Sequence, residues 1–348
     1  MRVVVAMSGG VDSSVVAGLM ARAGHEVIGV TLQLYDHGAA VGRKGACCAG
    51  QDIYDAKRVA DRLGIAHYVV DAEARFKSSV ISAFADSYAA GVTPVPCIAC
   101  NQHLKFGDLL AMARDLGADA LATGHYVRRL DGADGAELHR AVDETRDQSW
   151  FLFATTREQL EFCRFPLGDL ASKAEVRALA EEMGLAVAAK PDSQDICFVP
   201  SGTYAEIVEK FRPEALAPGE IVTEDGAVLG MHQGIARYTV GQAKRLGNAA
   251  QHQVVKKIEP GTRRIVVGPR GAMSCEVRLR DANWLVTPPQ LALRAGVKMR
   301  ARDELHPASI RAEGSGAMII LDQPALAAPG QAAVFYDGSR ILGGGFIV

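Results

Sequence analysis

Two kinds of residue pattern in this chain can do chemistry, a glycine loop and a set of cysteines. The loop is Ser8-Gly9-Gly10-Val11-Asp12-Ser13-Ser14. Adjacent glycines let successive backbone N–H groups converge on an anion with no Cβ in the way. Its serines add hydroxyl donors, and Asp12 can hold Mg2+ against bound phosphates. No Gly-Lys-Ser/Thr follows, so the loop is not of the Walker type. The cysteines of interest are Cys100, in Pro94-Val95-Pro96-Cys97-Ile98-Ala99-Cys100-Asn101, and Cys197, in Asp192-Ser193-Gln194-Asp195-Ile196-Cys197. Both stretches read as turns after broken helices, where a thiol can be presented to a substrate. One thiol can carry sulfur as a persulfide, and a second can attack that disulfide-like bond to release it. Cys163, between Phe162 and Phe165, and Cys275, in a strand pattern, read as packing residues. Cys47-Cys48 have no other ligand close by and read as structural.

The elements around these residues predict how they are held. Arg2–Met7 is a continuous apolar run, the pattern of a buried parallel strand, and it leads straight into the loop. Asp12-Ser13-Ser14 can cap the helix that follows, with Val15, Val16, Leu19 and Met20 on one face and Gly24 at its end. Further strands are expected at 26–35, 67–71 and 119–126, and helices at 52–63, 75–90 and 102–116, with Pro94 and Pro96 breaking the chain before Cys97. This alternation predicts an α/β fold with a doubly wound parallel sheet, its ligands at the C-terminal ends of the strands. Past Phe211, Pro213, Pro218 and Gly219 mark a boundary. Short β runs follow, 237–240 among them, and beyond Ala272 the pattern is all β, as in a small barrel or sandwich. The expected domains are 1–211, 212–272 and 273–348.

Composition narrows the class. No apolar run approaches ~20 residues, so no membrane span is expected. The opening apolar run is too short for a signal-peptide core, and the chain reads as cytoplasmic. Seven cysteines in 348 residues then read as thiols, metal ligands or catalytic groups. Net charge is only −2, yet residues 237–302 carry 14 of the 38 Lys and Arg and three of the 40 acidic residues. That asymmetry points to a polyanionic partner.

The loop resembles that of the PP-loop ATP pyrophosphatases, which release pyrophosphate and transfer AMP. By itself it leaves the acceptor open between a small carboxylate and a nucleobase carbonyl. With Cys100-Asn101 and Lys105-Phe106, Ala122-Thr123-Gly124-His125-Tyr126, Asp147-Gln148-Ser149, Lys190-Pro191-Asp192-Ser193-Gln194-Asp195-Ile196-Cys197-Phe198 and Gly343-Gly344-Gly345, the chain resembles the tRNA-specific 2-thiouridylase family along nearly its whole length. The resemblance implies an adenine nucleotide α-hydrolase-like PP-loop domain, a small central tRNA-contacting domain and a C-terminal β-barrel. It implies that O2 of uridine 34 in a tRNA anticodon is adenylated from ATP, and that sulfur then replaces it at C2. Cys197 falls on the persulfide carrier and Cys100 on the nucleophile that pairs with it, while Asp12 serves the ATP step. Ala6, Met7, Ser8, Gly9, Gly10, Val11, Asp12, Ser13, Leu32 and Gly124 fall on the ATP site. Val95, Pro96, Cys97, Arg146, Asp147 and Gln148 fall on tRNA-contacting segments, with His125, Arg300 and Gln331 as further tRNA positions. The implied partners are tRNA and a persulfide-carrying donor protein.

One departure from the family stands out. Relatives often carry Asn-Pro-Asp where this chain has Val95-Pro96-Cys97, so proton transfer by an aspartate there is in doubt. The change creates Cys97-x-x-Cys100. With Cys197 this gives three thiolates that could hold a [4Fe–4S] cluster with one open iron for sulfide. Otherwise Cys97 fills space or lowers the pKa of Cys100. Two rival readings remain, a PP-loop ligase or amidating enzyme acting on a small carboxylate, and a non-catalytic RNA-binding protein with a vestigial loop.

Overall fold

Strand β1 (Arg2–Ala6) runs through the centre of a five-stranded parallel sheet, and its Val3, Val4 and Val5 are fully buried. The computed structural model describes residues 1–34, 49–192, 196–199, 203–247, 250, 252–269 and 274–348. Helix α1 (Val11–Arg22) follows the glycine loop, and β2 (Glu26–Gln33) pairs with β1. Helix α2 (Ala49–Leu63) and β3 (Ala66–Asp71) extend the sheet on one side. On the other side lie β4 (Ala120–Ala122) and, after a hairpin of β5 (Val127–Gly132) and β6 (Gly135–Arg140), the short β7 (Cys163–Arg164). The order β3-β2-β1-β4-β7 reverses direction between β1 and β4. In an open α/β sheet the ligand crevice lies at such a switch point, here beside the loop after β1. Helix α3 (Lys173–Glu182) packs on α1 and contributes buried Val176 and Ala180 to the same core.

The chain forms two compact units. The first comprises Met1–Ser79, Cys97–Pro200 and Asp337–Leu342, and the second Val80–Pro96, Ser201–Tyr336 and Gly343–Val348. Within the second unit, β8 (Gly219–Thr223), β9 (Val228–His232), β10 (Gln253–Glu259) and β11 (Arg264–Pro269) form a four-stranded sheet in the order β10-β11-β8-β9. Strands β12 (Ser274–Trp284), β13 (Leu293–Lys298), β14 (His306–Glu313), β15 (Gly316–Ala325), β16 (Ala332–Asp337) and β17 (Arg340–Ile347) then close into an antiparallel barrel, with β12 pairing both β15 and β17. The seam explains Gly343-Gly344-Gly345. A Cβ on Gly343 would lie 2.3 Å from the Asn283 carbonyl oxygen, and one on Gly345 3.0 Å from that of Arg280. Only residues without side chains allow the strands this close.

The α/β class, the parallel sheet and the terminal barrel agree with the expectation; several element limits do not. Pro96 starts a helix instead of breaking one, because a proline at the first helical position loses no backbone hydrogen bond. Helical segments Pro96–Ala99, Cys100–Leu109 and Leu110–Asp115 run on continuously, the middle one π-helical, so Cys97 and Cys100 lie on a helix and not in a turn. The strand expected over 119–126 ends at Ala122, where Thr123-Gly124-His125 leave the sheet. The run 237–240 is no strand: a 3-10 turn ends at Arg237, and irregular chain follows. Tyr35, Cys47, Cys48 and Ser193–Asp195 lie outside the described residues.

Candidate active site

The loop is shaped by its neighbours. Gly9 has φ +75°, and a Cβ there would sit 2.1 Å from the Asp52 carbonyl oxygen, so the loop lies directly on the first turn of α2. Gly10 is the N-cap of α1 and offers no side-chain cap, which leaves the first-turn amides available to an anion. Ser13 and Ser14 do not cap the helix. They turn their hydroxyls back onto the Gly10 carbonyl at 3.2 and 2.8 Å, and Ser13 Oγ also accepts the Ser8 amide at 3.1 Å. Gly124, after β4, faces the same point: a Cβ would lie 3.0 Å from the Ser13 nitrogen and 3.1 Å from Asp12 Cβ. Its glycine makes room for the first turn of α1, beside any approach to adenine. Ala6 ends β1 and Met7 follows it, and half-buried Leu32 lies near the end of β2, at the same end of the parallel strands.

Asp12 is the centre of a charge network that sequence reasoning missed. The Lys173 ammonium donates to both of its oxygens, at 2.7 and 2.8 Å, and the Tyr126 hydroxyl donates to Oδ1 at 2.6 Å. Burial, then the bond to Asp12, push the Tyr126 phenol far above its usual value. Lys173 also reaches Asp192 at 2.9 Å, which takes Arg146 at 2.7 Å and Arg177 at 3.3 Å. Burial raises the Asp192 pKa, but bonds from Lys173 and Arg146 outweigh it and hold the carboxyl below its ordinary range. A second lysine, Lys190, donates to the Gly9 carbonyl at 2.9 Å, to Asp52 at 2.7 Å and to Asp55 at 2.6 Å. The segment 190–192 is thereby tied both to the loop and to Asp12, five residues ahead of Cys197.

The thiols occupy contrasting settings. Cys100 is buried and Cys197 exposed, and Phe198 behind Cys197 packs edge-on against Phe76 at 5.9 Å. Burial pushes the Cys100 thiol up, against the opposing charge of Lys105. Cys97 has exposed surface, yet burial raises its thiol too, again opposed by Lys105, and the charges of Cys197 and Cys100 add to the rise. The charges of both other thiols thus act on Cys97. Among the described residues, however, no group of three His, Cys, Asp or Glu is placed to hold a metal ion. Lys105 is anchored to Asn101 Oδ1 at 2.9 Å and faces His125 Nε2 at 3.5 Å. Ammonium can only donate, so Nε2 accepts and Nδ1–H serves Thr123 Oγ1 at 2.7 Å. Cys163 is fully buried, its thiol pushed up to about 12 by desolvation.

The tRNA positions differ in what they have left to offer. Arg146 is partly exposed, whereas the Asp147 carboxylate accepts from Ala141 and Ser149 and is ion-paired with Arg140 at 3.5 Å. Gln148 accepts the Tyr126 amide at 3.0 Å, and both ring nitrogens of His125 are engaged. In the second unit, Arg300 is exposed, and it lines with Gln331, Thr239 and Gln242 a small cavity of about 300 Å³. Gln331 donates to the Thr93 carbonyl at 3.2 Å, two residues before Val95 and three before Pro96.

Relatives decide the family. Residues 1–201 match the tRNA methyl transferase HUP domain, 205–269 the tRNA methyl transferase PRC-barrel domain and 274–347 the aminomethyltransferase beta-barrel domain. The tRNA-specific 2-thiouridylase MnmA of Acidiphilium cryptum is 73% identical over all of both chains. The chain belongs to the tRNA-specific 2-thiouridylase family. Two other 2-thiouridylases, of Gluconobacter oxydans and Rhodospirillum centenum, are 63% and 59% identical across this whole chain, and the match covers 99% and 91% of their own lengths. In a 2-thiouridylase of this kind the PP-loop accounts for the use of ATP, and the loop, Asp12, Cys97, Cys100 and Cys197 fall within one unit.

Proposed function

We propose that this protein is a tRNA-uridine 2-sulfurtransferase: it adenylates O2 of uridine 34 in a tRNA anticodon with ATP and replaces that oxygen with sulfur. The observation that carries the reading is the 73% identity, over the full length of both chains, to a tRNA-specific 2-thiouridylase, with the PP-loop, Cys100 and Cys197 in one unit. Uncapped amides at the start of α1 suit the ATP phosphates. Asp12 would hold Mg2+, which supplies charge neutralisation on those phosphates when bound.

Uridine O2 attacks the α phosphorus and pyrophosphate leaves, so the oxygen at C2 becomes part of a good leaving group. Cys197, exposed, takes a terminal sulfur from a persulfide-carrying donor protein. Cys100 thiolate attacks Cys197 Sγ and the terminal sulfur departs as sulfide with the bond's electron pair. That sulfide adds at C2 and AMP is expelled. The Cys100–Cys197 disulfide left behind is returned to two thiols by an external dithiol. Uridine must leave its stack to reach such a site, as single-stranded anticodon bases can. The domain limits 1–211, 212–272 and 273–348 and a cytoplasmic setting belong to this reading.

Incubation with unmodified tRNA, ATP, Mg2+ and a persulfide donor, followed by nucleoside mass analysis, tests it. 2-Thiouridine should form, and Cys100→Ala and Cys197→Ala should each abolish it. Activity surviving in both variants would favour a carboxylate-adenylating enzyme, and tRNA binding without ATP consumption would favour a plain RNA-binding protein. A [4Fe–4S] cluster on Cys97, Cys100 and Cys197 is the alternative sulfur route. The described residues offer no three-ligand group for it, and no step is routed through one. Iron and sulfide in anaerobically purified protein, lost in Cys97→Ser, would reinstate it.

A further inference from the structure

Lys173 is absent from every motif that marks the family resemblance, yet its ammonium bonds both oxygens of the loop's carboxylate. It is the first residue of α3, behind the N-cap Ser172, and is only 8% exposed. A buried ammonium persists only when anions surround it, and here these are Asp12 and Asp192. Oδ1 of Asp12 is fully used, by Lys173 and by the Tyr126 hydroxyl, and Oδ2 takes a second bond from Lys173. A carboxylate held in this way cannot also serve a divalent cation without giving up bonds to Lys173. A cation arriving beside the ammonium would repel it as well. Around Asp12 and Asp192 stand three cations, Lys173, Arg146 and Arg177, against two carboxylates. On the loop's other side Lys190 stands against two further carboxylates, Asp52 and Asp55.

We infer that Lys173 is a further nucleotide-site residue: it holds Asp12 neutralised before ATP arrives, and passes its ammonium to the ATP phosphates when Asp12 turns to Mg2+. The inference rests on the proposed use of ATP. Backbone position is fixed by the Ser172 cap, whose hydroxyl accepts the Glu175 amide at 3.3 Å, so the exchange needs only the side chain to move.

Calorimetric titration of the full chain with ATP·Mg and, separately, with AMP tests the inference. Lys173→Met should weaken ATP·Mg binding by about tenfold or more, the scale of a lost charge-assisted bond, and leave AMP within about twofold. Lys173→Arg should recover part of the loss. Lys173→Gln, which still donates to Asp12 but carries no charge, should behave like Lys173→Met and serves in its place if the apolar variant folds poorly. ATP·Mg affinity equal to the parent's in Lys173→Gln would overturn the inference, as would equal losses for ATP·Mg and AMP, which mark a structural role. A parent chain that binds no ATP at all would bring down the functional reading itself.

Discussion

Cys197 is exposed and Cys100 is buried, an arrangement that suits a carrier loaded from outside and a nucleophile kept for one reaction. Burial alone would leave Cys100 a poor thiolate, and Lys105 is the charge that opposes it. Lys105→Met should therefore move the midpoint of Cys100 alkylation to higher pH. Peptide-resolved alkylation across a pH series reads this directly, and an unchanged Cys100 midpoint would deny Lys105 that role. His125 titrates the other way. Desolvation, with Lys105 adding to it, holds its pKa well below the ordinary 6.5. The unfolded chain thus takes up this proton at a pH where the folded chain does not. The neutral ring contributes stability in full above about pH 6.5, and that contribution is lost as pH falls toward the folded value. His125→Asn should flatten the decline of unfolding free energy between about pH 6.5 and pH 5, measured by denaturant titration. A slope identical to the parent's would contradict the assignment.

At the scale of elements, the β1–loop–α1 unit was legible because an apolar run, two glycines and a 3.6-residue period agree. Gly9 shows why the loop tolerates little change. Its left-handed backbone costs an L residue about 1–2 kcal/mol, and an added Cβ would strike the Asp52 carbonyl. Gly9→Ala should accordingly weaken ATP binding by about tenfold or more, read by calorimetry, with wild-type affinity as the contrary result. The helix holding Cys97 and Cys100 is hard to see in the sequence because Pro96 breaks a helix at interior positions but is favoured just inside a helix start. The β5–β6 hairpin went unremarked, though Asp131-Gly132 and Asp134-Gly135 are turn signals. The pairings of Lys173 and Lys190 were beyond sequence reasoning for another reason, although Lys190 itself stands in a family motif. Their partners lie 161 and 181 positions away, at Asp12 and Gly9, and no local pattern encodes so distant a pairing.

At the scale of the molecule, the basic segment seen in the sequence is only partly neutralised by the fold. Lys257, Arg264, Arg280 and Arg294 have carboxylate partners. Lys244, Arg245, Arg263, Arg278, Arg300 and Arg302 are exposed, and among the described residues none has a carboxylate within ion-pair distance. Contacts from such residues to tRNA phosphates would release counterions, so tRNA affinity should fall steeply between about 50 and 200 mM salt. A dissociation constant that hardly moves over that range would deny these residues a docking role. Among the described residues no helix is long and apolar enough to cross a membrane. The proposed reaction couples tRNA docking, ATP cleavage and sulfur delivery. Nucleoside mass analysis of tRNA treated with the protein, ATP, Mg2+ and a persulfide donor tests it most directly. The expected result is 2-thiouridine at position 34, with one AMP and one pyrophosphate for each sulfur, and none with Cys197→Ala. AMP and pyrophosphate released while uridine 34 stays unmodified would contradict it.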